Sequence, residues 1–120
     1  MFRIFSIVFV LVASVMMLAD AHAQSNGPAA VAAARSCTPA AVGDFQIRIH
    51  VRCSTAVDGI VYYAVATTDS NRAARVLAIL SGAFLGGHQV EIYYDPADLS
   101  GSSIGCSNVD CRLLLNVEIF

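Results

Sequence analysis

Phe45-Gln46-Ile47-Arg48-Ile49-His50-Val51-Arg52-Cys53 alternates without a break. Phe45, Ile47, Ile49, Val51 and Cys53 fall on one face; Gln46, Arg48, His50 and Arg52 fall on the other. A period of two held over this stretch predicts a strand with one face buried and one wet. Ser54 to Gly59, ending in Asp58-Gly59, reads as a turn, and Ile60 to Thr68 is rich in β-branched and aromatic residues. The two segments predict an antiparallel hairpin in which one of Tyr62 and Tyr63 faces the core.

Downstream the period changes. Asp69, Ser70 and Asn71 carry side-chain oxygens that cap a helix N-terminus, and Ala73, Val76, Leu77, Leu80, Ala83 and Phe84 then recur at steps of three and four. Gly86-Gly87 stops the helix, because glycine tolerates the left-handed conformation of a closing turn. His88 to Tyr94 alternates again, with Val90, Ile92 and Tyr94 inward, and Asp95-Pro96 ends that strand because proline cannot extend a ladder. Asp98 to Cys111 is a loop dense in Ser and Gly. Arg112 to Phe120 predicts a last strand with Leu113, Leu115, Val117 and Ile119 on its apolar face.

Upstream, Arg3 precedes an apolar run from Ile4 to Leu18 that ends in Ala21-His22-Ala23. A positive charge, a short apolar segment and small residues before a cut after Ala23 are the parts of a secretory signal peptide, residues 1–23. The run is shorter than the roughly 20 apolar residues of a membrane span, so no membrane insertion is expected after processing. Residues 24–36 read as a flexible N-terminal arm, since a short Ala-rich stretch with no apolar stripe has little to bury. Residues 37–120 form a single disulfide-bonded domain, exported to the periplasm or secreted.

Cys37, Cys53, Cys106 and Cys111 all lie in that domain, and an even number of cysteines in a small exported chain predicts a disulfide framework. Cys106 and Cys111 are close enough for a local bridge, which leaves Cys37 with Cys53; spacing by itself leaves the other two pairings open. A zinc site would need a second matching pair and reducing surroundings.

Beyond residue 23 the chain has six Arg, no Lys and eight Asp or Glu, a formal charge of −2. That balance lacks the clustered positive charge that nucleic acid or an anionic membrane requires. No GxSxG, HExxH or glycine-rich phosphate loop is present, so no catalytic residue and no cofactor or metal is assigned. Asp95, Asp98 and Asp110 could converge on calcium, but without EF-hand spacing a solvated loop is the simpler reading. His50 and His88 read as exposed. Tyr93 sits on the polar face beside Asp95, the pairing of ring and carboxylate that stacks on a sugar and bonds its hydroxyls. Arg48 and Arg52, on the wet face of the first strand, could meet a sugar carboxylate. Ligand-binding candidates are therefore Tyr93, Asp95 and Arg48.

A helix such as Asn71 to Gly86, the passage Gly87-His88-Gln89-Val90-Glu91-Ile92-Tyr93, the Cys106-Ser107-x-x-x-Cys111 loop and a short last strand together resemble the subtilase-cytotoxin B-subunit-like proteins. These belong with the pertussis-like toxin B subunits. The resemblance covers about half the chain. It implies an OB-like barrel with one helix, assembly as a pentamer and, in the toxin members, binding of sialylated glycans, with Tyr93 falling where a tyrosine enters the sugar pocket. Asp44 and Phe45 stand where the family has a pocket serine. The expected fold is thus α+β, mainly β: a small OB-like barrel of antiparallel strands with one helix, or alternatively an open four-stranded sheet with the helix packed on one face. The expected function is an exported, non-catalytic binding domain resembling the B subunits of AB5 toxins, carbohydrate-binding and oligomeric. The alternative is a periplasmic protein-interaction or inhibitor domain docking through a sheet edge or the long loop.

Overall fold

A computed structural model describes residues 32–120; the signal segment and most of the N-terminal arm lie outside the described residues. The described chain is mainly β. Its strands are β1 (Ala33–Cys37), β2 (Pro39–Phe45), β3 (Arg48–Val57), β4 (Ile60–Ala66), β5 (Val90–Tyr94) and β6 (Cys111–Ile119). One helix, α1 (Ser70–Gly86), lies between β4 and β5, and a short 3-10 helix covers Ser100–Ile104. The sheet has the order β1-β5-β6-β4-β3-β2. Every neighbouring pair is antiparallel except β4 with β6, which run parallel.

The hydrogen-bonded order is an open sheet of six strands rather than a closed ring of antiparallel ones, so it lies closer to the alternative expectation, with two strands more. Its outer strands, β1 and β2, are consecutive in the chain with Thr38 alone between them. The two edges therefore meet. Ser54 N donates to the Thr38 carbonyl at 2.9 Å, and the Cys37–Cys53 bridge joins β1 to β3 at that seam. Both additional strands escaped the alternation test for a physical reason. In β2 the run Pro39-Ala40-Ala41-Val42-Gly43-Asp44 carries almost no apolar bulk, and β1, at the end of the stretch expected to be a flexible arm, inserts Arg35 into the interior.

The alternating stretch splits accordingly. Ile49, Val51 and Cys53 are buried on β3 as expected, whereas Gln46-Ile47 is the turn between β2 and β3, and Phe45 and Ile47 are exposed. Thr67 pins that turn, its Oγ1 donating to the Gln46 carbonyl at 2.9 Å. The next turn is narrower than the Ser54–Gly59 reading: β3 runs on to Val57, and Asp58 and Gly59 alone turn, both with positive φ. That is the backbone of a tight hairpin matched to strand twist.

The helix matches its signals. Asp69 accepts from Arg72 N at 3.0 Å as the N-cap, and Gly87 closes the C-terminus at φ 68° with its N–H donating to the Ala83 carbonyl. Ala73, Val76, Leu80 and Ala83 face the sheet; Phe84, placed on that stripe by its spacing, is exposed at the end of the helix.

In β6 the apolar face departs from the alternation at one place: Leu114 is buried and Leu115 exposed, whereas Val117 packs against the core as expected. The register shift explains this. Tyr93 pairs with Asn116 while Tyr94 pairs with Leu114, so Leu115 is the extra residue of a bulge, which swaps faces along the strand. Arg72 reaches across from α1 to that bulge, donating to the Leu114 and Leu115 carbonyls at 3.1 and 2.6 Å.

The core joins the inner faces of β3, β4 and β5 to the helix, and Tyr63 lies at its centre, fully buried against Tyr94 with ring centroids 4.9 Å apart. Its hydroxyl has no hydrogen-bond partner among the described residues. Burial pushes the Tyr63 phenol up to about 12, partly opposed by the nearby Arg35. Tyr63→Phe should therefore leave stability unchanged or raise it by about 1 kcal/mol, because only an unsatisfied group is removed. The wild type should lose stability between pH 10 and 12, where the unfolded phenol releases its proton and the folded one holds it, and the variant should show a shallower loss. Urea titrations at pH 9 and 11 measure both effects; a marked destabilisation by Tyr63→Phe would reveal a partner for the hydroxyl.

Candidate functional site

The outer face of β3 carries Arg48 and His50, and that of β4 carries Tyr62. Parallel pairing of β4 with β6 sets Cys111 opposite Tyr62, which brings the loop before β6 onto this face. Val61 N and Tyr62 N both donate to the Asp110 carbonyl, at 2.9 and 3.0 Å. The Cys106–Cys111 bridge closes the loop on itself, and Cys106 and Cys111 pack with Ala64, Tyr62 and Ile104 in a small apolar cluster beneath it. Arg112 ties the loop down from its other side, donating to the carbonyls of Pro96, Asn108 and Cys111 at 2.7 to 2.8 Å.

Between sheet and loop lies a cleft of about 240 Å³ lined by Arg48, His50, Tyr62, Gly105, Ser107 and Asp110. Arg48 holds its near wall, with Nη1 donating to the Ile104 carbonyl at 3.1 Å. That approach requires Gly105: a Cβ there would stand 2.5 Å from Arg48 Nη1, and the residue has φ 83°. On its other side the Arg48 guanidinium lies 4.6 Å from the centroid of the Phe45 ring. Phe45, His50 and Tyr62 form a row across β2, β3 and β4, with centroids 4.7 and 5.5 Å apart. Gly43, opposite His50, leaves room for this row, since a Cβ there would lie 2.7 Å from the Phe45 ring.

Burial, and secondarily the Arg48 charge, hold the His50 imidazole below its ordinary range, so it is neutral at neutral pH and presents an uncharged ring. No hydrogen bond joins His50 to Ser107 or Asp110; the Ser107 hydroxyl instead accepts from Val109 N at 3.3 Å. The cleft thus offers one cation, stacking rings, a hydroxyl and a carboxylate, which is the equipment for holding a polar ligand with apolar faces.

The three residues singled out from the sequence do not share one site. Arg48 lines the cleft, but Tyr93 lies on β5, with β6 and β4 between it and β3. The Tyr93 hydroxyl donates to Glu118 Oε1 at 2.9 Å, and that bond, followed by the Glu118 charge, raises its pKa. Asp95 accepts from Ala97 N and Asp98 from Ser100 N, both at 2.9 Å. These two carboxylates shape turns, whereas Asp110 alone of the three loop aspartates lines the cleft. Both cysteine pairs, Cys37–Cys53 and Cys106–Cys111, are bridged as favoured. Among the described residues no helix is long and apolar enough to cross a membrane.

Tyr62, His50, Ser107 and Asp110 were not assembled from the sequence. Alternation along β3 places Arg48 and His50 on one face, but nothing local shows that β6 returns parallel to β4 and carries Ser107 and Asp110 there. Comparison of the chain with family models, curated proteins and solved structures returns no match.

Proposed function

We propose that this chain is an exported, non-catalytic binding domain of OB-like build whose cleft between β3, β4 and the 105–110 loop takes a glycan. The cleft carries the reading: it gathers Arg48, His50, Tyr62, Ser107 and Asp110 in one concavity. In it Tyr62 is the stacking residue, Arg48 the cation for a sugar carboxylate, and Ser107 and Asp110 the partners of sugar hydroxyls. Export is supported by two disulfides. The OB-like reading is supported by a sheet whose edge strands run into one another at Thr38 and are pinned by Cys37–Cys53. Likeness to the toxin B subunits adds assembly as a pentamer, which light scattering would weigh directly.

A glycan array spanning neutral and carboxylate-bearing sugars tests the proposal. Wild type should give hits that Tyr62→Ala and Arg48→Gln lose and Tyr93→Ala keeps. No hit on any sugar would reject glycan binding; loss in Tyr93→Ala alone would move the site to β5. One observation favours the alternative of a periplasmic interaction or inhibitor domain: among the described residues β1 makes ladder bonds on one side only, with β5, and touches the other edge of the sheet at its Cys37–Thr38 end. An extended partner segment could add to that free edge.

A further inference from the structure

We propose that the ligand is a chain of sugar units laid along the ring row, with the cleft holding one unit and Phe45 stacking on another outside it. The inference rests on the glycan reading and extends it from one sugar to an oligosaccharide. Phe45 lies outside the cleft lining yet belongs to the same row: its ring leans on His50, which leans on Tyr62, whose ring borders the cleft. Phe45 ends β2 with 45% of its surface exposed, and Gly43 clears the space that lets it reach His50. Arg48 spans both parts, since its guanidinium lies 4.6 Å from the centroid of the Phe45 ring while the same side chain walls the cleft. Rings spread over three neighbouring strands give successive stacking positions, and alternating apolar faces and hydroxyls along an oligosaccharide match them. A stacked single-stranded nucleic acid would fit such rings as well, but the chain carries a formal charge of −2 and no Lys, with Arg48 the one cation lining the cleft.

Calorimetric titration of the full mature protein separates these claims, using N-acetylglucosamine oligomers of one to four units as the neutral arm and α2,8-linked sialic acid oligomers of the same lengths as the acidic arm. In at least one arm affinity should rise about tenfold from one unit to three, the gain of one added stacking contact. Phe45→Ala should abolish that gain and leave single-unit affinity in place, and Phe45→Tyr should restore it. Binding that is independent of length, or lowered equally at all lengths by Phe45→Ala, would overturn the chain-ligand inference while leaving the single-sugar cleft intact. Absence of binding in both arms would overturn the chain-ligand inference, with the glycan reading falling as well where the array is also blank, and tighter binding of a single-stranded oligonucleotide would replace the sugar by a nucleic acid.

Discussion

Replacing Cys37 and Cys53 together by alanine should lower the unfolding free energy by about 3 to 5 kcal/mol. The two residues are 16 apart, a loop whose closure in the unfolded chain supplies about 3 kcal/mol on the entropy account. Packing adds to this, because both side chains sit in the main core at 1% and 2% exposure. Position matters as much as burial. The bridge ties the end of β1 to β3 where the chain passes from one edge of the sheet to the other, so without it that seam is held by Thr38, its bond from Ser54 N and the Arg35 bonds, while the β5-β6-β4-β3 ladder joins the same strands the other way round. Urea denaturation followed by circular dichroism measures the loss. A change below about 1 kcal/mol would mean that the seam is held by the strands alone.

Arg35→Ala should cost about 3 kcal/mol, a large effect for a residue in what reads as a flexible arm. Arg35 is 7% exposed and donates to the carbonyls of Thr55 at 2.9 Å, Ile60 at 3.2 Å and Ser36 at 3.1 Å. Its guanidinium also lies 5.7 Å from the centroid of the Tyr63 ring. It spans from β1 to both strands of the β3–β4 hairpin near its tip, and burying its charge is tolerated because carbonyl oxygens surround it. Alanine leaves the Thr55 and Ile60 carbonyls without that donor and removes the stem that packs in the interior. Arg35→Met restores the stem alone, so it should recover part of the loss and leave the amides of residues 55–60 exchanging faster than in wild type. Stability within about 0.5 kcal/mol of wild type for Arg35→Ala would show that the hairpin end satisfies itself.

The segments legible in the sequence are those whose burial pattern is set locally. The helix declares itself through Asp69, its apolar spacing and Gly87; β5 does so through Val90, Ile92 and Tyr94; and the Asp58-Gly59 turn through residues suited to positive φ. What is hidden depends on distant partners. Pro39 to Asp44 is a strand because β3 offers it a ladder, not because its residues prefer one. The Leu115 bulge, bonded by Arg72 from the helix, buries Leu114 in place of Leu115 and leaves the assigned face in force at Val117. The site follows the same division: Arg48 is readable on the wet face of its strand and Tyr62 reaches that face through the β3–β4 hairpin, while Ser107 and Asp110 join them only through parallel pairing of β4 with β6. Tyr93 and Asp95, adjacent in sequence and chemically apt, are engaged with Glu118 and a local turn instead.

Amide chemical-shift mapping of the labelled mature protein, titrated with the best array hit, tests the glycan cleft most directly. Perturbations centred on Arg48, His50, Tyr62, Ser107 and Asp110, and spreading to Phe45 with longer oligomers, are the predicted result. Shifts confined to β5 and β6 around Tyr93 and Glu118, with the cleft residues unmoved, would contradict it.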